Sequence, residues 1–190
     1  MKMSETIIEE WSDVQVPDPP ELERVELDPK ETALLVLDVQ NRNCNEERRP
    51  RCVATLPRIR KLLETARSSN VQVVYSLTRG ADRSDVREEV APMDGEEIVS
   101  SSVDKFQGTD LEGILAAGDI KTVMVVGTSA HGAVLHTATG AALRDLRVVV
   151  PVDCISSSDR YPEQYTVWHL ANAPGSRRHV LLSRSDLIHM

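Results

Sequence analysis

The chain lacks any apolar run long enough to span a bilayer, and its start, MKMSETIIEEWSD, is too acidic and too poor in apolar residues for a secretory leader. It also lacks basic surplus: 22 Lys and Arg stand against 30 Asp and Glu, a formal net charge of -8. With no basic stripe to neutralise phosphates, nucleic acid and anionic membrane are excluded as expected partners. Cysteine is scarce, at positions 44, 52 and 154 only, and forms neither a CxxC pair nor a ligand cluster with the five histidines. The expectation is therefore no disulfide framework, no metal site, no cofactor, and a reducing cytoplasm as the compartment. No GxGxxG follows the first apolar run, which argues against a dinucleotide-binding module. Internal repeats and low-complexity runs are absent too.

What is present suits one α/β domain, since 190 residues at 41% hydrophobic can bury a full core. Residues 1–30 carry Pro17, Pro19 and Pro20 among many carboxylates and read as an N-terminal arm. It either straps across the domain or a partner subunit, with Trp11 as an anchor, or remains a disordered leader. From residue 31 onward the pattern is that of the domain proper. Ala33 to Leu37 form a continuous apolar run ending in Asp38, the mark of a strand covered on both faces of a parallel sheet.

The polar stretch NCNEERRPR, Asn43 to Arg51, reads as a loop whose arginines either hold a carboxylate or are solvated. Apolar residues at helical spacing predict an amphipathic helix from Thr55 to Ser69. Val71 to Tyr75 give a second strand, and the polar excursion Arg79 to Glu97 that follows is of the length that covers a site. Leu146 to Val152 and Val180 to Leu182 supply further strands, and in the stretch from Ile98 onward Thr109 or Asp110 caps a short helix stopped by Gly118. Cys154, just past Asp153, is either a small buried hydrophobe or a spare thiol at the sheet edge. A last helix runs from Ser158 to Ala173.

The stretch around which these elements are arranged is KTVMVVGTSAHGAVLHTATGAA, Lys121 to Ala142. Its β-branched run ends at Gly127, turns through small residues and enters a helix from Ala130 to Leu143. The carboxyl end of such a strand, facing the free N–H groups of the next helix, is where open α/β sheets bind ligands. His131 and His136 flank the turn, as ligands, proton carriers or rim hydrogen-bonding groups.

These motifs resemble the isochorismatase-like cysteine hydrolases, which include nicotinamidases and carbamoyl-amide hydrolases. The likeness rests on Asp38 and Gln40 after the first strand, on Phe106 and Thr109-Asp110-Leu111, and on the frame from Gly127 through Val134 to Thr137-Ala138. It implies a three-layer α-β-α sandwich with a doubly wound parallel six-stranded sheet in the order 3-2-1-4-5-6. It further implies an Asp base, here Asp38, a catalytic lysine, and helix-start N–H groups that stabilise an oxyanion. The family lysine often lies several residues before the Phe, where this chain has serines. Lys105, immediately before Phe106, is the candidate, and a surface pair with Asp104 is the alternative. The position of the nucleophilic cysteine holds Ala133.

Gln40, Ser129 and His131 are the expected substrate contacts. The resemblance thus leads to a hydrolase of small amides or enol ethers, divergent or inactivated at Ala133, or to a pseudoenzyme that only binds a small ligand. A homodimer or homotetramer is expected.

Overall fold

The computed structural model describes residues 6–190; the first five residues of the expected arm lie outside that range. Six parallel strands form the body: β1 Thr32–Leu37, β2 Gln72–Thr78, β3 Glu97–Ser101, β4 Thr122–Thr128, β5 Arg147–Pro151 and β6 Val180–Ser183. Their order across the sheet is β3-β2-β1-β4-β5-β6, as the resemblance implies. The helices are α1 Pro50–Ser68, α2 Leu111–Ala117, α3 Leu135–Ala142 and α4 Arg160–Asn172.

All six residues of β1 are buried, because successive side chains feed two different cores. Leu34 and Val36 pack on the side of α1, with Leu56, Ile59, Leu62 and Leu63. Leu35 and Leu37 face the opposite side, with Leu111, Ala133, Ala138 and Leu170. Fully burying each such Leu or Ile is worth roughly 1.5–3 kcal/mol, which is why a helix with only one apolar stripe holds its place.

The sheet has a seventh member that the sequence reading did not anticipate. β5 pairs with β4 only from Thr122↔Arg147 to Met124↔Val149. Beyond that point the two-residue strand Ile155–Ser156 takes over against Gly127 and Thr128. Pro151 ends β5, and a proline has no N–H with which to extend a ladder. Part of the expected arm also belongs to the body: Val25–Glu26 pairs in parallel with Ile188–His189, and Val25 and Leu27 enter the α1-side core.

Helix α1 begins five residues earlier than its apolar periodicity predicts, with Pro50 at the first helical position, where a missing N–H costs nothing. This early start corrects the cysteine reading. Cys44, in the loop after β1, is bonded to Cys52 in the first turn of α1, Cα to Cα 5.2 Å. The loop doubles back from Gln40 through Arg49 and brings the two thiols together. A spacing of eight residues falls outside the short CxxC pattern used to look for pairs.

No helix among the described residues is long and apolar enough to cross a membrane.

Candidate active site

The carboxyl ends of β1, β2, β3 and β4 converge on a cavity of about 320 Å³ lined by Asp38, Asn43, Arg48, Arg49, Thr78, Arg79, Ser101, Ser102, Val103, Thr128, Ser129 and Ala133. Backbone geometry sets this convergence. Asp38 leaves β1 with φ 52°, and its N–H is held by the Ser76 carbonyl at 3.0 Å. Gly127, at φ 120°, lets β4 pass close to β1, since a Cβ there would stand 2.1 Å from the Leu37 carbonyl oxygen.

Asp38 is the acidic centre. Its Oδ2 accepts from Lys105 Nζ at 2.8 Å and its Oδ1 from Ser76 Oγ at 2.9 Å. Burial raises its carboxyl above the ordinary value, with Lys105 and Ser76 pulling the other way. Lys105 has no exposed surface, so the surface pair with Asp104 does not form. Its ammonium also donates to the Ser102 carbonyl at 2.7 Å and the Ser101 carbonyl at 3.3 Å. The lysine reaches Asp38 because its loop is fastened to α3: Lys105 N–H donates to Thr137 Oγ1 at 3.2 Å. Asp104 instead accepts from the Phe106 N–H at 3.0 Å. Gly140 lets helix and loop approach, as a Cβ there would stand 3.0 Å from an Asp104 oxygen.

Ala133 lies on the far wall. The segment Ala130–Val134 is wound as a wide π turn, in place of the continuous helix expected from Ala130. Ser129 carbonyl accepts from both Gly132 and Val134 N–H, at 3.0 and 3.2 Å. This widened turn carries the Ala133 side chain to the cavity and keeps Ser129 beside it. The peptide bond between Thr128 and Ser129 is cis.

Two expected contacts lie elsewhere. Gln40 is buried and does not line the cavity. Its Oε1 accepts from the Thr78 N–H at 3.0 Å and from Asn43 Nδ2 at 3.4 Å, so it clamps two cavity-lining residues from behind. His131 turns away toward Ser157 Oγ, 2.9 Å from its Nδ1, and edges a neighbouring hollow with His136, Tyr161, Tyr165 and His169. The helical turn that points Ala133 inward necessarily points its neighbour two positions earlier outward.

No thiol faces the site. Cys44 and Cys52 are bonded to one another, and Cys154 is fully buried in the core on the α1 side, where burial pushes its thiol up. Asp153 accepts from the Ser185 N–H and hydroxyl, at 2.9 and 2.7 Å, outside the cavity. Among the described residues no group of three His, Cys, Asp or Glu side chains is placed to hold a metal ion.

Sequence reasoning gave no role to Ser76 or Thr137 as supports, nor to Arg79 in the wall, and it left Arg48 and Arg49 open between carboxylate binding and solvation. Arg49 reaches Thr128 Oγ1 at 3.3 Å. Arg51 turns away to pair with Glu163 of α4. The excursion after β2 is stitched to the loop after β1 through Asn41 N–H to Asp85 O, 2.7 Å, and Arg87 N–H to Val39 O, 3.0 Å.

Residues 32–177 match the family model described as the isochorismatase domain. The chain belongs to the isochorismatase family. It is 27% identical over 142 residues to the secreted isochorismatase effector Isc1 of Verticillium dahliae, covering 68% of this chain and 75% of that protein. It is 27% identical over 150 residues to an N-carbamoylsarcosine amidase of Arthrobacter sp, covering 63% of this chain and 56% of the amidase. This isochorismatase-family chain therefore spans little more than half of that amidase. The crystal structure of N-carbamoylsarcosine amidase from Thermoplasma acidophilum superposes with a TM-score of 0.71 at 27% identity, over 82% of this chain and 97% of that one.

Proposed function

We propose that this isochorismatase-family hydrolase domain takes a small amide or enol-ether substrate, with Asp38 as the base and Lys105 as its electrostatic partner. The observation that carries the reading is that Asp38, paired to Lys105, and Ala133 line one cavity. A cysteine thiol at position 133 would pass its proton to Asp38 and attack the carbonyl carbon as the thiolate, and the same proton would leave with the amine. Nearby N–H groups of the wide turn would hold the oxyanion. With a methyl at that position, the groups that remain are those of acid–base chemistry: Asp38 can take a proton from water or from substrate, and Lys105 keeps the carboxylate charged in a dry setting.

A second reading, a small-ligand-binding pseudoenzyme, is favoured by the absence of any thiol from the cavity wall. Ala133→Cys separates the two. Hydrolysis of small amides should rise at least about a hundredfold over the unaltered chain, the scale that a nucleophile with a positioned base contributes. Asp38→Asn in the same background should remove the gain. A folded Ala133→Cys protein silent across a broad amide panel would leave the binding reading.

The reading includes self-association as a homodimer or homotetramer. Ile7, Trp11, Val14 and Val16 of the arm lie against Tyr161, Tyr165 and Trp168 of α4 and leave much apolar surface exposed. As for the compartment, cytoplasmic placement rested on cysteines expected to be unpaired, and the Cys44–Cys52 bond is of the kind that an oxidising compartment maintains.

A further inference from the structure

Deepening the reading of the Asp38 cavity as a substrate site, we propose that its ligand is a compact organic dianion gripped by Arg48, Arg49 and Arg79. In this chain of net charge -8, nine of the 17 arginines pair with carboxylates, among them Arg51 with Glu163, Arg67 with Glu96, Arg87 with Glu89 and Arg184 with Asp186, and three of the other eight gather at one cavity. Arg48, Arg49 and Arg79 have no carboxylate partner among the described residues, and all three face the same cavity. The one carboxylate in that wall, Asp38, is already occupied by Lys105 and Ser76.

Asp38 and Lys105 neutralise one another, so three guanidinium groups set the charge of the cleft. Arg49 is half-buried with only the Thr128 hydroxyl to satisfy it. Burial and the charge of Arg48 both hold its guanidinium below the usual value, against a smaller opposing pull from Asp38. An uncharged amide would leave these donors unmatched in a partly desolvated wall. A planar oxyanion accepts two parallel N–H bonds from such a fork, and a second negative group would meet the remaining arginines.

Arg48 and Arg49 come from the loop after β1 and Arg79 from the loop after β2, so they approach the ligand from two sides. The Ser101, Ser102 and Ser129 side chains line the rest. A volume of about 320 Å³ lies at the small end of ligand sites, roughly 300–1,000 Å³. A single-sign cleft also concentrates anions around an otherwise acidic protein, an effect that salt screens.

The test is calorimetric titration of the unaltered chain with three probes: succinate, succinamide of the same skeleton without charge, and glycerol phosphate. Succinate should bind at least about tenfold tighter than succinamide, with the preference shrinking as sodium chloride is raised. Arg48→Gln and Arg79→Gln, both at exposed side chains, should each weaken succinate about tenfold and narrow its preference over succinamide. Tighter binding of glycerol phosphate than succinate would support the dianion and assign a phosphate ester as its source. Equal affinity for diacid and diamide, indifference to both arginine changes, or no dianion binding at millimolar concentration would overturn the proposal. Binding is read without turnover, so an inert Ala133→Cys enzyme would leave this result standing. An active one that hydrolyses neutral amides while failing to bind dianions would overturn the dianion alone.

Discussion

Lys105 shows how much of the site depends on single groups. Removing an ammonium from water costs several kcal/mol, and the cost is met only when its protons all find acceptors. Here they find Asp38 and two carbonyls. Asp38 is legible through the family likeness, because on the residues alone a carboxylate ending an apolar strand serves equally well as the cap of the next turn. Lys105 is legible only as one of two alternatives, since its burial depends on Thr137 in another element. Arg48 and Arg49 could not be told from solvated charges, because a polar loop looks the same whether it faces water or a cavity.

The shift at Asp38 carries a sign that can be measured. A base must be ionised, so in the Ala133→Cys enzyme the acid limb of kcat/KM should fall at a pH above the ordinary Asp value of about 4. A midpoint at or below that value would show that Lys105 outweighs burial. The same direction governs stability. The folded chain keeps the Asp38 proton to higher pH than the unfolded chain, so this group's contribution is full below about 4 and is lost as pH rises through its raised value.

Among the elements, the loop between β1 and α1 departs furthest from expectation. Its composition predicts a loose polar connection, yet both ends are tied, by Gln40 at the start and by the Cys44–Cys52 bond at the finish. Closing so short a segment is worth about 2.5 kcal/mol on the chain-entropy account. Replacing both cysteines with serine should lower the melting temperature by roughly 5–10 °C. A dithiol reductant should produce the same fall in the unaltered chain and none in the double variant, as scanning calorimetry would show. Because Arg48 and Arg49 ride on this segment, succinate affinity should fall with it. Boundaries of α1 and α3 were misread for a related reason: Pro50 and the wide turn at Ala130–Val134 leave no periodic apolar trace.

For the molecule as a whole, strand order and layering followed from hydrophobic patterning joined to the family likeness, because a strand buried on both faces has few places to go. Assembly is a different matter, since apolar residues that cover a partner look like ordinary core in a sequence. Light scattering should give a mass two or four times the 21.1 kDa of the chain. Trp11→Ser combined with Trp168→Ser should shift it toward the single-chain value; an unchanged multimer would place the contact elsewhere.

The buried Asp38–Lys105 pair also constrains how such a chain can change over generations. Loss of either partner alone strands a charge in the interior, at roughly 3–5 kcal/mol, whereas swapping both for apolar side chains is often harmless. Neither can be the first to go. Sulfur at position 133, by contrast, can give way to a methyl, since that site is nearly closed to solvent and takes a small apolar group without strain. On the proposed reading of position 133, the nucleophile is the piece that can depart first, and the ion pair stays behind as the part that selection cannot dismantle one step at a time.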